Sequence, residues 1–178
     1  VGRGALAGPV VVCAAIMPEG YEDSRIIDSK KITEKKREIL ARSIKENALD
    51  YAYGVVCNTV IDSVNILRAT KQAMHIAISR LRHPYDDIII DAVKLNNISV
   101  PFQHPFKAED SFLCVAAASI LAKVHRDEMM RKLHMSYPGY GWYSNKGYGA
   151  KAHLEGLKIY GATDLHRMSF LKNADIKR

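Results

Sequence analysis

Ile88, Ile89 and Ile90, preceded by Asp87, run straight into Asp91. Such an apolar run predicts a buried strand, and an acid at its last residue is held rigidly at a sheet edge. A second acid pair, Glu109-Asp110, stands ahead of the small-residue run Ala116-Ala117-Ala118-Ser119. An acid just before a helix can converge with a strand-end acid on one cation, so the pattern points to a metal site. Each acid also has a plainer reading. Asp91 can cap a turn after its strand, and Glu109 and Asp110 stand near a helix start, where negative charge is favoured.

The remaining segments predict an α/β fold. Pro9 to Met17 is a β-branched run (Val10, Val11, Val12, Ile16) bounded by Gly8 and Pro18-Glu19-Gly20, which predicts a strand. Thr33 to Asn47 reads as a charged helix capped by Thr33, with Ile39, Leu40 and Ile44 on one apolar face. Tyr51 to Cys57 reads as a second strand. Thr59 to Asp62 opens a helical segment that Ile66 to Leu81 continues, with Leu67, Met74, Ile78 and Leu81 on its stripe. Tyr85 to Ile90 is the strand ending at Asp91, and a minor strand is expected around Val100-Pro101-Phe102. The longest helix runs from about Leu113 to Leu133, and its alanines allow it to lie close to a sheet. A Gly- and Tyr-rich stretch from Tyr137 leads to a last helix near Ala150 to Tyr160. This order predicts a central mixed sheet flanked by helices, with a C-terminal helical segment.

At 178 residues the chain is long enough for one full core, and a single domain over 1–178 is expected. Lys and Arg (26) outnumber Asp and Glu (19), giving a formal charge of +7, which suits a polyanionic partner without naming it. Cys13, Cys57 and Cys114 are far apart within apolar stretches and read as reduced core residues, which favours a cytoplasmic protein. No apolar run approaches the ~18 residues of a membrane span, and no charged-then-apolar leader is expected.

Taken together, Gly2-Arg3-Gly4, Asp28-Ser29-Lys30-Lys31, Asn65 to Thr70, Ile90-Asp91, Ala116 to Asp127, Tyr137-Pro138-Gly139-Tyr140-Gly141, Lys146-Gly147-Tyr148-Gly149 and His166-Arg167-Met168-Ser169-Phe170 closely resemble bacterial ribonuclease HII. The likeness covers nearly the whole chain, in order and at compatible spacings. It implies a ribonuclease H-like fold and hydrolysis of the RNA strand of RNA–DNA hybrids. It also implies cutting 5′ to ribonucleotides embedded in duplex DNA, with Mg²⁺ or Mn²⁺ as cofactor, in DNA replication and repair. A monomer is expected, and a sliding clamp is a candidate partner.

The family site has four acids. The third maps onto Asp91 and the fourth onto Glu109, with Asp110 as the alternative if the register slips by one. Glu109 stands where the family usually has Asp, a departure that is more like ribonuclease HIII and bears on metal preference. The first two acids form an Asp-Glu pair just ahead of the Gly-Arg-Gly turn, where this chain starts at Val1. A fragment of a longer product, lacking the N-terminal part of its first strand, is therefore expected. A nucleic-acid-binding protein without turnover is the alternative reading of such a chain.

Discrimination of RNA from DNA must rest on the 2′-hydroxyl. The glycines of Gly2-Arg3-Gly4 suit a close main-chain approach to a sugar, and Arg3 suits a phosphate contact. In the family this turn reads the 2′-hydroxyl, and the tyrosine matching Tyr148 stacks on the neighbouring deoxyribose. Without the other motifs, these are a tight turn and a loop aromatic. Ser29 and Lys30 could meet phosphates, as could Lys146 beside Tyr148. Lys35-Lys36-Arg37 reads as a solvated face, and Lys123, Arg126 and Asp127 as a helix-surface ion pair or a substrate contact. His166 and Arg167 read as residues that order the C-terminal segment.

Overall fold

A computed structural model of the chain describes residues 1–27, 29, 32–91, 93–103, 105 and 108–171, apart from the side chains of Glu109 and Asp110. The β-branched run forms β1 (Val10–Ile16), followed by α1 (Glu34–Asn47), β2 (Asp50–Val56), α2 (Asn58–Val64) and α3 (Ile66–Ser79). The chain continues through β3 (Ile88–Ile89), β4 (Phe102–Gln103), α4 (Ala108–Ser111) and α5 (Leu113–Ser136). A 3-10 turn at Pro138–Tyr140, α6 (Trp142–Asn145), α7 (Lys151–Tyr160) and a second 3-10 turn at Met168–Phe170 complete it. The α/β class and the alternation of elements are as the patterning predicts. Among the described residues the strands form two two-stranded sheets, β1 with β2 and β3 with β4.

The chain divides into two compact units, and the divisions fall within β1, β2, α3 and α5 rather than in linkers. One comprises residues 12–54 and 71–124. In it β3 pairs parallel with β4, Ile88 opposite Phe102 and Ile89 opposite Gln103. Ile90, Val93 and Leu95 form a buried cluster against which Met74, Ile78, Ile88, Ile98 and Phe102 pack. Gly54 of β2 lies against α3, so close that a Cβ built there would stand 1.8 Å from the Ala73 carbonyl oxygen. The buried alanines Ala73 and Ala77 permit this approach from the helix side.

The other unit comprises residues 1–11, 55–70 and 125–178. Its core gathers Ala7, Met130, Tyr140, Trp142, Leu157 and Leu171. The Trp142 ring stacks on Tyr140 at 5.2 Å between centroids. Val1 and Val11 exchange backbone hydrogen bonds, Val11 N–H to Val1 O at 3.1 Å and the Val1 amino group to Val11 O at 2.6 Å.

Several expectations are corrected. Ile39 is 52% exposed, and α1 buries Arg37, Leu40, Ala41 and Ile44 instead. Arg37 therefore does not share the solvated face of Lys35 and Lys36. Its guanidinium donates to the carbonyls of Ser29 (3.0 Å) and Ile32 (2.7 Å), so its charge is spent on main-chain acceptors. Thr33 takes the N-cap position of α1 without a side-chain cap bond. The helix read through Thr59 to Leu81 is broken at Asn65, whose φ of 73° is left-handed. The Asn65 side-chain oxygen accepts the N–H groups of Leu67 and Arg68 and so starts α3 afresh, leaving Leu67 exposed. The strand expected over Tyr85–Ile90 is confined to Ile88–Ile89. Cys13 is buried, but Cys57 is exposed and Cys114 half-buried; all three are free thiols.

Candidate active site

The acid at the end of the isoleucine run is positioned from both sides. Ile90 N–H donates to Gln103 O at 2.9 Å, which fixes the residue just before Asp91. The Asp91 carboxylate, through Oδ1, accepts the N–H of Ala108 at 3.2 Å. Ala108 is the first residue of α4, so Asp91 satisfies one of the donors that a helix start leaves open. Glu109 is the next residue along, which anchors its main chain beside the Asp91 carboxylate. The Asp91 carboxylate retains further lone pairs after accepting this one N–H. Carboxylate oxygens at adjoining positions are the donors a hard divalent cation takes. Among the described residues no group of three or more His, Cys, Asp or Glu forms a metal cluster. The side chains of Glu109 and Asp110, and all of Lys30, lie outside the described residues.

Ser29 belongs to the same unit as Asp91 and is buried, with its hydroxyl 2.9 Å from that of Ser119 on α5. With Arg37 holding its carbonyl, Ser29 is fixed at both ends.

In the other unit the structure brings Gly2, Arg3, Gly4, Lys146 and Tyr148 into one assembly. Leu6 N–H and Ala7 N–H both donate to the Gly147 carbonyl, at 2.8 and 3.3 Å. Gly8 N–H donates to Leu165 O and Arg167 N–H to Leu6 O, joining the His166-Arg167 segment to the same turn. Two fully buried guanidinium groups complete the junction. Arg126 donates to the carbonyls of Pro9 (2.9 Å), Lys146 (2.9 Å) and Ala7 (3.2 Å). Arg167 donates to Gly8 O (3.0 and 2.9 Å) and Arg3 O (2.9 Å). Arg126 is therefore not a helix-surface residue as its spacing suggested: it is 0% exposed, and its five-donor fork suits several main-chain acceptors at once.

The two glycines of the turn answer to different demands. Gly2 has φ +83°, and a Cβ there would stand 2.1 Å from Arg126 Nε, so the fold itself requires glycine. Gly4 carries no such demand. Exposed, it would place a Cβ within 4 Å of nothing among the described residues.

Tyr148 is 37% exposed, and its ring lies over the Arg126 guanidinium, 5.4 Å from Cζ to centroid. Its N–H donates to Asn145 O at 2.9 Å. Its carbonyl accepts from Ala150 N–H at 2.8 Å and faces His153 Nδ1 at 2.9 Å. Lys146 is turned inward. Its ammonium donates to Tyr143 O and its left-handed backbone closes α6.

The charge beneath this surface is positive. Burial lowers the affinity of both guanidinium groups for their proton, Arg167 to about 10 with Arg126 as a second cause, yet both remain cations at neutral pH. Burial also pulls His153 and His166 below the ordinary histidine range, His166 to about 4, so both are neutral at pH 7. Asn58 donates to the carbonyls of Asp164 and His166, while Asp62 accepts from Met168 and Ser169 N–H, so α2 grips the C-terminal segment.

The model of the family described as Ribonuclease HII matches residues 1–173. The chain belongs to the ribonuclease HII family. It is thereby placed among the ribonuclease H hydrolases. Ribonuclease HII of Ruminiclostridium cellulolyticum is 47% identical over 172 residues, covering 97% of this chain and 68% of the relative. The chain spans about two thirds of the length of the curated ribonuclease HII relatives it matches. Ribonuclease H2 of Pyrococcus horikoshii OT3 superposes with a TM-score of 0.81 at 26% identity, over 95% of this chain and 90% of that one. Bst-RNase HIII, solved in complex with Mn²⁺, gives a TM-score of 0.63 at 25% identity, over 90% and 60%. The ribonuclease H-like fold is thus established for this ribonuclease HII chain.

His166 and Arg167 order the C-terminal segment as expected, whereas the anchoring role of Arg126 and the buried place of His153 were not read from the sequence. Arg126 and His166-Arg167 lie inside strings that mark the family, and that was their signal. His153 lies outside those strings, on a helix whose pattern shows an ordinary amphipathic face.

Proposed function

We propose that the chain hydrolyses the RNA strand of RNA–DNA hybrids and cuts 5′ to a ribonucleotide embedded in duplex DNA. Support comes from one observation above all: a Cβ at Gly4 would meet nothing within 4 Å among the described residues, in a turn that shares its Arg126 anchor with Tyr148. The absence of a side chain at Gly4 leaves room for a sugar edge to approach the main chain, where a 2′-hydroxyl meets amide donors and carbonyl acceptors. Tyr148 then offers its ring to the neighbouring deoxyribose, Arg3 meets a phosphate, and the buried guanidinium charge favours the polyanion. Lys30 and Ser29 are assigned to the phosphate backbone, and Lys146 to shaping the Tyr148 loop.

Asp91 and Glu109 are the carboxylates assigned to hold Mg²⁺ or Mn²⁺, a reading supported by the hard-oxygen chemistry of the pair and by the Mn²⁺ complex of Bst-RNase HIII. Two such cations, once bound, neutralise the phosphate and acidify the attacking water. The reaction joins a water oxygen to phosphorus and breaks the bond from phosphorus to the preceding 3′ oxygen, which takes up a proton. The products carry a 3′-hydroxyl and a 5′-phosphate. Acids ahead of Gly2 are part of this proposal, so the test uses a chain extended upstream by Asp-Glu. The extended chain is expected to cut a duplex with one ribonucleotide in Mg²⁺ or Mn²⁺, and Asp91→Asn to slow it at least about a hundredfold. Unchanged cutting by Asp91→Asn, or none by the extended chain with either metal, would contradict the proposal.

A further inference from the structure

Four polar groups behind Tyr148 have their proton positions dictated by geometry. Thr163 N–H donates to His166 Nδ1 at 2.9 Å, so that nitrogen holds a lone pair and a neutral His166 carries its hydrogen on Nε2. His166 Nε2 faces His153 Nε2 at 3.0 Å, which requires one hydrogen between them. Trp142 Nε1, which can only donate, points at the same His153 Nε2 from 3.1 Å. His153 Nε2 is therefore the acceptor of both, and the hydrogen of His153 stands on Nδ1. That N–H is aimed at the Tyr148 carbonyl 2.9 Å away.

We propose that His153, set in one tautomer by His166 and Trp142, is a positioning residue for Tyr148, fixing its main chain so that the ring is presented to nucleic acid. The proposal rests on the reading of Tyr148 as a nucleic-acid contact. A threonine main-chain N–H fixes the His166 tautomer, His166 and Trp142 fix that of His153, and His153 delivers a donor to the carbonyl of the contact residue. Both main-chain polar atoms of Tyr148 are then engaged, the N–H by Asn145 and the carbonyl by His153 and Ala150. With the backbone fixed, the ring stays over the Arg126 guanidinium and keeps one edge to solvent. His153, His166, Trp142 and Thr163 are buried or half-buried within one compact unit, and neither histidine is close enough to solvent to act on a substrate itself.

Two isosteres separate positioning from mere packing. The amide nitrogen of asparagine falls near the Nδ1 position of histidine, and the amide group of glutamine reaches the Nε2 position, where its Oε1 accepts. His153→Asn therefore retains the donor to Tyr148 and loses the acceptor for Trp142 and His166, whereas His153→Gln does the reverse. Binding of this chain to duplex DNA carrying one ribonucleotide is measured by fluorescence anisotropy in EDTA, alongside Tyr148→Ala. The expected result is weakening of about three- to tenfold in His153→Gln and in Tyr148→Ala, with His153→Asn within about twofold of the parent. Long-range ¹H–¹⁵N correlation of the imidazole rings at pH 7 is expected to show His153 as the Nδ1–H tautomer and His166 as the Nε2–H tautomer. Equal binding by His153→Asn and His153→Gln while Tyr148→Ala weakens it overturns this inference alone, as does the opposite tautomer pair. Unchanged binding by Tyr148→Ala overturns the reading of Tyr148 and the inference with it.

Discussion

Gly2 and Gly4 stand two residues apart and meet different surroundings: a Cβ at Gly2 would run into Arg126, whereas one at Gly4 would meet nothing within 4 Å among the described residues. Gly2→Ala forces an L-residue into a left-handed conformation and drives its Cβ into Arg126. It is expected to cost about 2 kcal/mol or more of stability. Gly4→Ala is expected to change stability by less than about 0.5 kcal/mol and yet to weaken discrimination between ribo- and deoxyribo-containing duplexes. Thermal denaturation and competitive binding of the two variants check this, and equal destabilisation by both would show that Gly4 is structural. The histidines give a second test at this scale. Unfolded, each takes up a proton near 6.5; folded, His166 resists until about 4 and His153 is also held below its ordinary value, burial being the first cause for both. The folded chain therefore binds fewer protons than the unfolded chain below 6.5. Their contribution is whole above that pH and declines as pH falls, for His166 until about 4 and by up to about 1.4 kcal/mol per pH unit. Urea titrations at pH 7, 6 and 5 should show this slope, and His166→Asn should flatten it. Equal stability at all three values would contradict the buried neutral pair.

At the scale of elements, what was legible in the sequence depended on whether a signal is carried by pattern or by contact. β1 and α5 are readable because a β-branched run and a long alanine-rich stretch each favour one backbone state over many residues. The break between α2 and α3 is not readable from apolar spacing, because one residue makes it: Asn65 combines a left-handed φ with a side chain that caps the next helix. Arg37 misleads for a related reason. In a run of basic residues it looks solvated, and only the fold brings the carbonyls of Ser29 and Ile32 within reach. The turn motif was legible as a position, whereas the strand expected to end at Asp91 stops at Ile89. The support behind Tyr148 was not, since His153, His166 and Trp142 meet through tertiary contact. Gly54 offers a test at this scale. Its Cβ would stand 1.8 Å from main chain on α3, which does not yield as a flexible side chain would. Gly54→Ala is expected to destabilise the protein by about 2–4 kcal/mol in denaturant titration, and a loss under about 0.5 kcal/mol would show that β2 and α3 separate freely.

For the whole molecule, family membership, fold and enzyme class rest on a likeness that runs the length of the chain. The formal charge of +7 agrees with a polyanionic substrate, and the buried Arg126 and Arg167 place part of that charge beneath the turn and Tyr148. No helix among the described residues is long and apolar enough to cross a membrane. The central claim is that a ribonucleotide is recognised by its 2′-hydroxyl and the strand cut on its 5′ side. Mapping the cut at nucleotide resolution tests it most directly, on an end-labelled duplex with one ribonucleotide and its all-deoxy counterpart, with the Asp-Glu-extended chain in Mn²⁺. A single product ending in a 3′-hydroxyl immediately before the ribonucleotide, with the all-deoxy duplex left intact, is the predicted result. Cutting on the 3′ side, or equal cutting of both duplexes, would contradict it.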